Sequence, residues 1–89
     1  ILVRYSCLIK LLFFGRLGDL AQSAPNEIDA VDNLTPSAVR DLLTADYPDL
    51  GAELAQPQVL VSINQTIVDW HCVLEDGVEL AFLPPVTGG

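Results

Sequence analysis

Asp76-Gly77-Val78-Glu79-Leu80-Ala81-Phe82-Leu83-Pro84-Pro85-Val86-Thr87-Gly88-Gly89 is the stretch whose reading decides the fold. Val78, Leu80 and Phe82 alternate with Glu79, Ala81 and Leu83, so residues 78–83 read as a strand entered through an Asp76-Gly77 turn. Glu79 marks the second set as the wetter face. Pro84 and Pro85 lack backbone N–H donors and hold φ near about −65°, so the chain must leave any sheet there and run on as an extended tail, stiff at its root. Gly88 and Gly89 have no side chain to bury. They present a carboxylate on the thinnest possible stem, able to enter a channel that a Cβ atom would block. The expectation is a reactive terminus at Gly89.

Working back from the tail, residues 59–64 read as a strand with Val59, Val61 and Ile63 against Leu60 and Ser62. Asn64-Gln65 reads as a tight turn, because Asn tolerates positive φ, with a short return over residues 66–69. Residues 70–74 are irregular. The best helix is Pro36–Asp46: Thr35 can cap it, Pro36 suits its first position, and Val39, Leu42, Leu43 and Tyr47 form an apolar stripe. Tyr47-Pro48 ends it. Residues 49–55 can form a second, short helical segment. Near the start, residues 9–14 form a strand with Ile9, Leu11 and Phe13 on one face and Lys10, Leu12 and Phe14 on the other, which leaves Leu12 and Phe14 available to a partner. Residues 15–25 read as a loop with one helical turn, and residues 27–31 as a half-exposed edge strand in a hairpin with the first. One amphipathic helix covering one face of a mixed sheet is an α+β two-layer domain. With the first strand central, the last strand pairs beside it in parallel.

Composition narrows the function classes. Eighty-nine residues allow one domain, burying about two thirds of its unfolded surface. The net charge is −8, and Arg4, Lys10, Arg16 and Arg40 are scattered. Nucleic-acid binding, which needs clustered cations, is excluded on that ground, and a basic protein partner is favoured. Cys7 and Cys72 show no metal or redox spacing, and reduced cytoplasmic thiols are expected. The apolar stretch over residues 7–14 contains Lys10 and falls far below the ~20 residues of a membrane span. His71 lies between Asp69 and Cys72 in a segment with no second histidine, so it reads as a solvent-facing loop residue and no metal site is expected. Asp41, Asp46, Asp49 and Glu53 read as a charged, solvated helix face. Trp70, Tyr47, Phe82 and Phe13 read as core.

The strand order with its Gly-Gly end resembles the β-grasp, or ubiquitin-like, arrangement: a mixed four- to five-stranded sheet on one main helix. Ile9-Lys10-Leu11-Leu12-Phe13-Phe14-Gly15-Arg16-Leu17, Val61-Ser62-Ile63-Asn64-Gln65 and the stretch quoted first together resemble the small, sulfur-carrier subunits of molybdopterin synthase. The likeness spans residues 9–89, with residues 1–8 an N-terminal extension or lead-in to the first strand, 9–83 the domain and 84–89 a flexible tail. One departure is Val78, where the family's Asp-Gly-Asp-Glu-Val turn has a second acid. The resemblance implies that the Gly89 carboxylate is adenylated with ATP and Mg²⁺ on an activating enzyme similar to ubiquitin-activating enzymes. A sulfur donor then converts it to a thiocarboxylate, which gives its sulfur to cyclic pyranopterin monophosphate in the large subunit of a heterotetrameric synthase. It further implies no bound cofactor, catalytic roles only for Gly88 and Gly89, and an apolar docking set of Phe14, Ile67 and Leu83, with Pro84, Pro85, Val86 and Thr87 also meeting the partner. Three other readings stand beside it: a carrier for thiazole biosynthesis, a ubiquitin-like protein modifier, and an interaction module with an inert tail.

Overall fold

The computed structural model describes residues 8–84. Cys7 and the tail residues Pro85, Val86, Thr87, Gly88 and Gly89 lie outside the described residues. Five strands form one mixed sheet: β1 (Leu8–Phe13), β2 (Glu27–Asp29), β3 (Leu60–Ile63), β4 (Thr66–Val68) and β5 (Glu79–Leu83), in the order β2-β1-β5-β3-β4. β1 and β5 run parallel at its centre, with Leu11 opposite Leu80 and Phe13 opposite Phe82. β2 pairs antiparallel with β1, and β3 pairs antiparallel with both β5 and β4. This is the β-grasp topology, an α+β fold.

The β3–β4 connection is a two-residue turn in which Asn64 (φ 49°) and Gln65 (φ 72°) are both left-handed, the geometry whose twist matches that of the strands it joins. It is also tied to the central strand. The Asn64 N–H donates to the Glu79 carbonyl and the Glu79 N–H donates to Asn64 Oδ1, each at 2.9 Å. Both strand-end groups that would otherwise face solvent are thereby paired.

α2 (Pro36–Asp46) has the bounds its sequence dictates. Thr35 is extended and accepts a hydrogen bond from the Ala38 N–H at 3.2 Å, while the Tyr47 N–H closes the last turn on the Leu43 carbonyl at 2.7 Å. Tyr47 then leaves helical geometry, as a residue before proline must, and Pro48 opens α3 (Pro48–Leu54). The expected single helical turn after β1 is a short helix, α1 (Arg16–Leu20). Leu42 departs from the expected apolar stripe. It is 59% exposed, because it lies about 100° round the helix from Leu43, on the side away from the sheet. Pro36, Val39 and Leu43 make the buried face.

α2 and α3 approach closely at Gly51, where any Cβ would run into the Thr44 side chain. Ile9 and Leu11 of β1, Val61 of β3, Leu80 and Phe82 of β5, and Val39, Leu43, Leu50 and Leu54 of the helices fill the core between the layers. Phe82 is its centre. Its ring stacks on Phe13 at 5.2 Å and meets Trp70 at 5.9 Å. Trp70, like Tyr47, is half-buried against this core; its indole N–H donates to the Val59 carbonyl at 3.3 Å, and the Arg40 guanidinium lies 4.8 Å above its ring. Among the described residues no helix is long and apolar enough to cross a membrane.

Candidate functional site

The helices cover one face of the sheet and leave the other open. Register decides which side chains share that open face. Leu12 stands opposite Ala81, Ala81 opposite Ser62, and Ser62 opposite Ile67, so one row of four side chains crosses β1, β5, β3 and β4. A second row places Leu83 beside Leu60, and Phe14 follows Leu12 two residues on. In the middle of the first row two small residues, Ala81 and Ser62, lie between the larger Leu12 and Ile67. The sheet surface is therefore hollow there. A groove of about 350 Å³ results, with Phe14, Leu83, Leu12 and Ile67 as apolar walls and Gln65 and Glu79 at the end formed by the β3–β4 turn.

The sequence put Glu79, Ala81 and Leu83 together on the wetter face. Glu79 and Leu83 are half-buried, but Ala81 is only 4% exposed, because its methyl group sits at the groove floor below its larger neighbours. Ser62 is 5% exposed for the same reason. Phe14 is 47% and Ile67 54% exposed. These large apolar side chains are gathered around one depression, a contiguous apolar patch rather than scattered surface apolarity.

Phe14, Ile67 and Leu83, far apart in sequence, are thus brought to one groove by three different strands or their ends. Pro84, the first tail residue, continues from its rim. Pro84 rests against Gly15, which takes φ 57° to turn the chain out of β1; a Cβ there would come within 3.0 Å of the proline ring. The Phe14 N–H donates to the Phe82 carbonyl at 3.1 Å, so the turn and the tail root are held by adjoining backbone. Sequence reasoning missed the Ser62 and Ala81 floor and the contribution of Leu60, 44% exposed beside Leu83. Only cross-strand register reveals them.

Among the described residues the other titratable groups form no site. The Asp69 carboxylate accepts the backbone N–H of His71 at 2.7 Å and so is occupied by its own loop, and the exposed histidine has no orienting partner among the described residues. Cys72 is a free thiol directed at the Val73 carbonyl. Asp41, Asp46 and Asp49 are exposed, whereas Glu53 forms an ion pair with Arg16 at 3.2 Å that links α1 to α3. No group of three His, Cys, Asp or Glu side chains among the described residues could hold a metal ion.

Comparison with known proteins gives a consistent set. The ThiS family pattern matches residues 11–89. The molybdopterin synthase sulfur carrier subunit of Escherichia coli K12 is 38% identical over 82 residues, covering 92% of this chain and all of that protein. Among solved structures, a putative molybdopterin converting factor subunit 1 from Pyrococcus furiosus superposes with a TM-score of 0.75 at 22% identity, over 91% of this chain and all of its own. A complex of subunits 1 and 2 of the molybdopterin-converting factor from Helicobacter pylori matches with a TM-score of 0.58 at 22% identity, over 92% of this chain and 99% of that one. At that identity the two structures speak for the fold alone.

Proposed function

Since this chain belongs to the ThiS family, we propose that it is the sulfur-carrier subunit of a molybdopterin synthase. The observation that carries the reading is the full-length match to the Escherichia coli carrier. The reacting group in this reading is the Gly89 carboxylate, supported by the likeness of the 76–89 stretch to the carrier subunits' Gly-Gly ending. A carboxylate oxygen attacks the α-phosphorus of ATP on an activating enzyme and pyrophosphate leaves. The terminal sulfur of a persulfide then displaces AMP from the acyl adenylate, and a second thiol attacks the donor's sulfur in the resulting acyl disulfide, leaving a thiocarboxylate on Gly89 and a disulfide on the donor side. In the large subunit that sulfur bonds to cyclic pyranopterin monophosphate, and water then cleaves the acyl–sulfur bond, leaving the sulfur on the pterin and the carrier as carboxylate.

In this reading the groove of Phe14, Ile67 and Leu83 docks the carrier on its partners, and Pro84 directs the tail from the groove's rim toward their active sites. A proline-stiffened root reduces the entropy lost when a tail enters a channel. The anionic ATP and pterin are bound by the partners' cations, which an acidic carrier complements. Mg²⁺ and ATP belong to the activating enzyme, and dependence on both ATP and a persulfide points to the reducing cytoplasm. The large-subunit partner is supported by the match to the Escherichia coli protein, which is itself named as a subunit of molybdopterin synthase. The decisive experiment is mass spectrometry of the chain produced with its activating enzyme. A gain of about 16 Da, sulfur for oxygen at the terminus, is expected; its absence would refute sulfur carriage.

A further inference from the structure

The groove is not uniformly apolar. Its end at the β3–β4 turn carries one carboxylate, Glu79, with the Gln65 side chain beside it. The Glu79 backbone is fixed on both sides by Asn64, so the root of the side chain is held in place while the carboxylate itself makes no hydrogen bond or ion pair among the described residues. The facing cation is Lys10, directly opposite Glu79 in the parallel β1–β5 pair and also opposite Glu27 of β2. One lysine between two carboxylates leaves a negative charge in surplus along this row. Lys10 is exposed, whereas Glu79 is half-buried at the groove end.

An apolar trough that terminates in an unmatched carboxylate has the chemistry to receive a long side chain with an aliphatic stem and a cationic head. We propose that the carrier's partner inserts an arginine here, with its stem over the Ala81 and Ser62 floor between Leu12 and Ile67. Its guanidinium meets the Glu79 carboxylate and the Gln65 amide oxygen. Arginine fits better than lysine, because its planar fork can engage a carboxylate with two parallel hydrogen bonds and is less strongly hydrated. The small floor residues have a purpose in this arrangement, since a larger side chain at either position would fill the path of the stem. Among the described residues no second cation compensates the surplus negative charge of the row, which a partner's cation would do. This inference deepens, and rests on, the reading of the groove as the docking face of a synthase carrier.

The test is titration calorimetry of the whole chain against the molybdopterin synthase large subunit of the same organism, with Glu79→Gln and Glu27→Gln compared. The two variants change net charge equally, but only Glu79 lines the groove. Glu79→Gln is expected to weaken binding about tenfold, as loss of a close charged pair does. Glu27→Gln should stay within about twofold, as for an exposed charge. The difference should persist near 1 M salt, where the Debye length is only about 3 Å, because a pair in contact is screened far less than a distant one. Thermal unfolding of Glu79→Gln should match that of the parent, which assigns the loss to docking. Equal effects from the two variants, or tighter binding by Glu79→Gln, would overturn the proposal while leaving the carrier reading standing. Failure of the unaltered chain to bind the large subunit would overturn both.

Discussion

Phe14 and Ile67 expose about half of their surface, and that exposure separates docking from stability residue by residue. Phe14→Ala removes a side chain that is about half buried, so unfolding should be destabilised by about 1 kcal/mol, the centre of the range for point substitutions. If Phe14 anchors a partner, the same change should weaken binding by about 2 kcal/mol or more, as interface aromatics do. Denaturant titration and calorimetry on one preparation measure both quantities. Ala81 gives the opposite experiment. Ala81→Leu fills the groove from its floor without enlarging the core, so docking should fall at least tenfold, by roughly 1.4 kcal/mol, while Phe82 and Leu80, which face the other way, keep their packing. The sequence supplied the walls of this groove through the alternation of Leu12 and Phe14 and of Glu79 and Leu83. It could not supply the floor: an Ala and a Ser become a depression only when register sets them side by side, and periodicity within one strand carries no register.

Among the elements, α2 was legible to the residue because its ends are written in local chemistry: a threonine cap and a first-position proline at one end, and a tyrosine held out of the helix by the following proline at the other. Thr35→Ala should therefore cost about 1 kcal/mol, read from the denaturant midpoint. The Asn64-Gln65 turn was legible for the same reason. Leu42 was misread because a stripe drawn at three- and four-residue spacing is wider than the strip a sheet covers, and only packing decides which margin stays wet. α1 has no side-chain cap and only Leu17 buried, so its sequence carries little beyond a turn signal. The seam between α2 and α3 was also invisible in the sequence. Gly51 reads there as a helix-weakening residue, yet the structure needs it where Thr44 crosses. Gly51→Ala, which intrinsic helix propensity alone would favour, should destabilise the fold by about 1–3 kcal/mol, measured by thermal or denaturant unfolding.

For the whole molecule, Phe82 is the last member of the core among the described residues, so the tail proposed to carry the chemistry lies beyond it in sequence. Deleting Gly88 and Gly89 should leave the unfolding midpoint unchanged and abolish thiocarboxylate formation, with calorimetry and mass spectrometry as the two measurements. The parallel contact between β1 and β5 has a consequence for synthesis. The central strand of the sheet is the last of the described strands to be made, so a nascent chain cannot close its core on the ribosome until residues 79–83 have emerged. Any product terminated earlier lacks the strand on which β1 and β3 both pair, exposes their apolar edges and is open to proteolysis. A surviving folded chain has therefore already been translated through Leu83, to the threshold of the tail. Biosynthesis itself thus discards copies that stop short of the central strand.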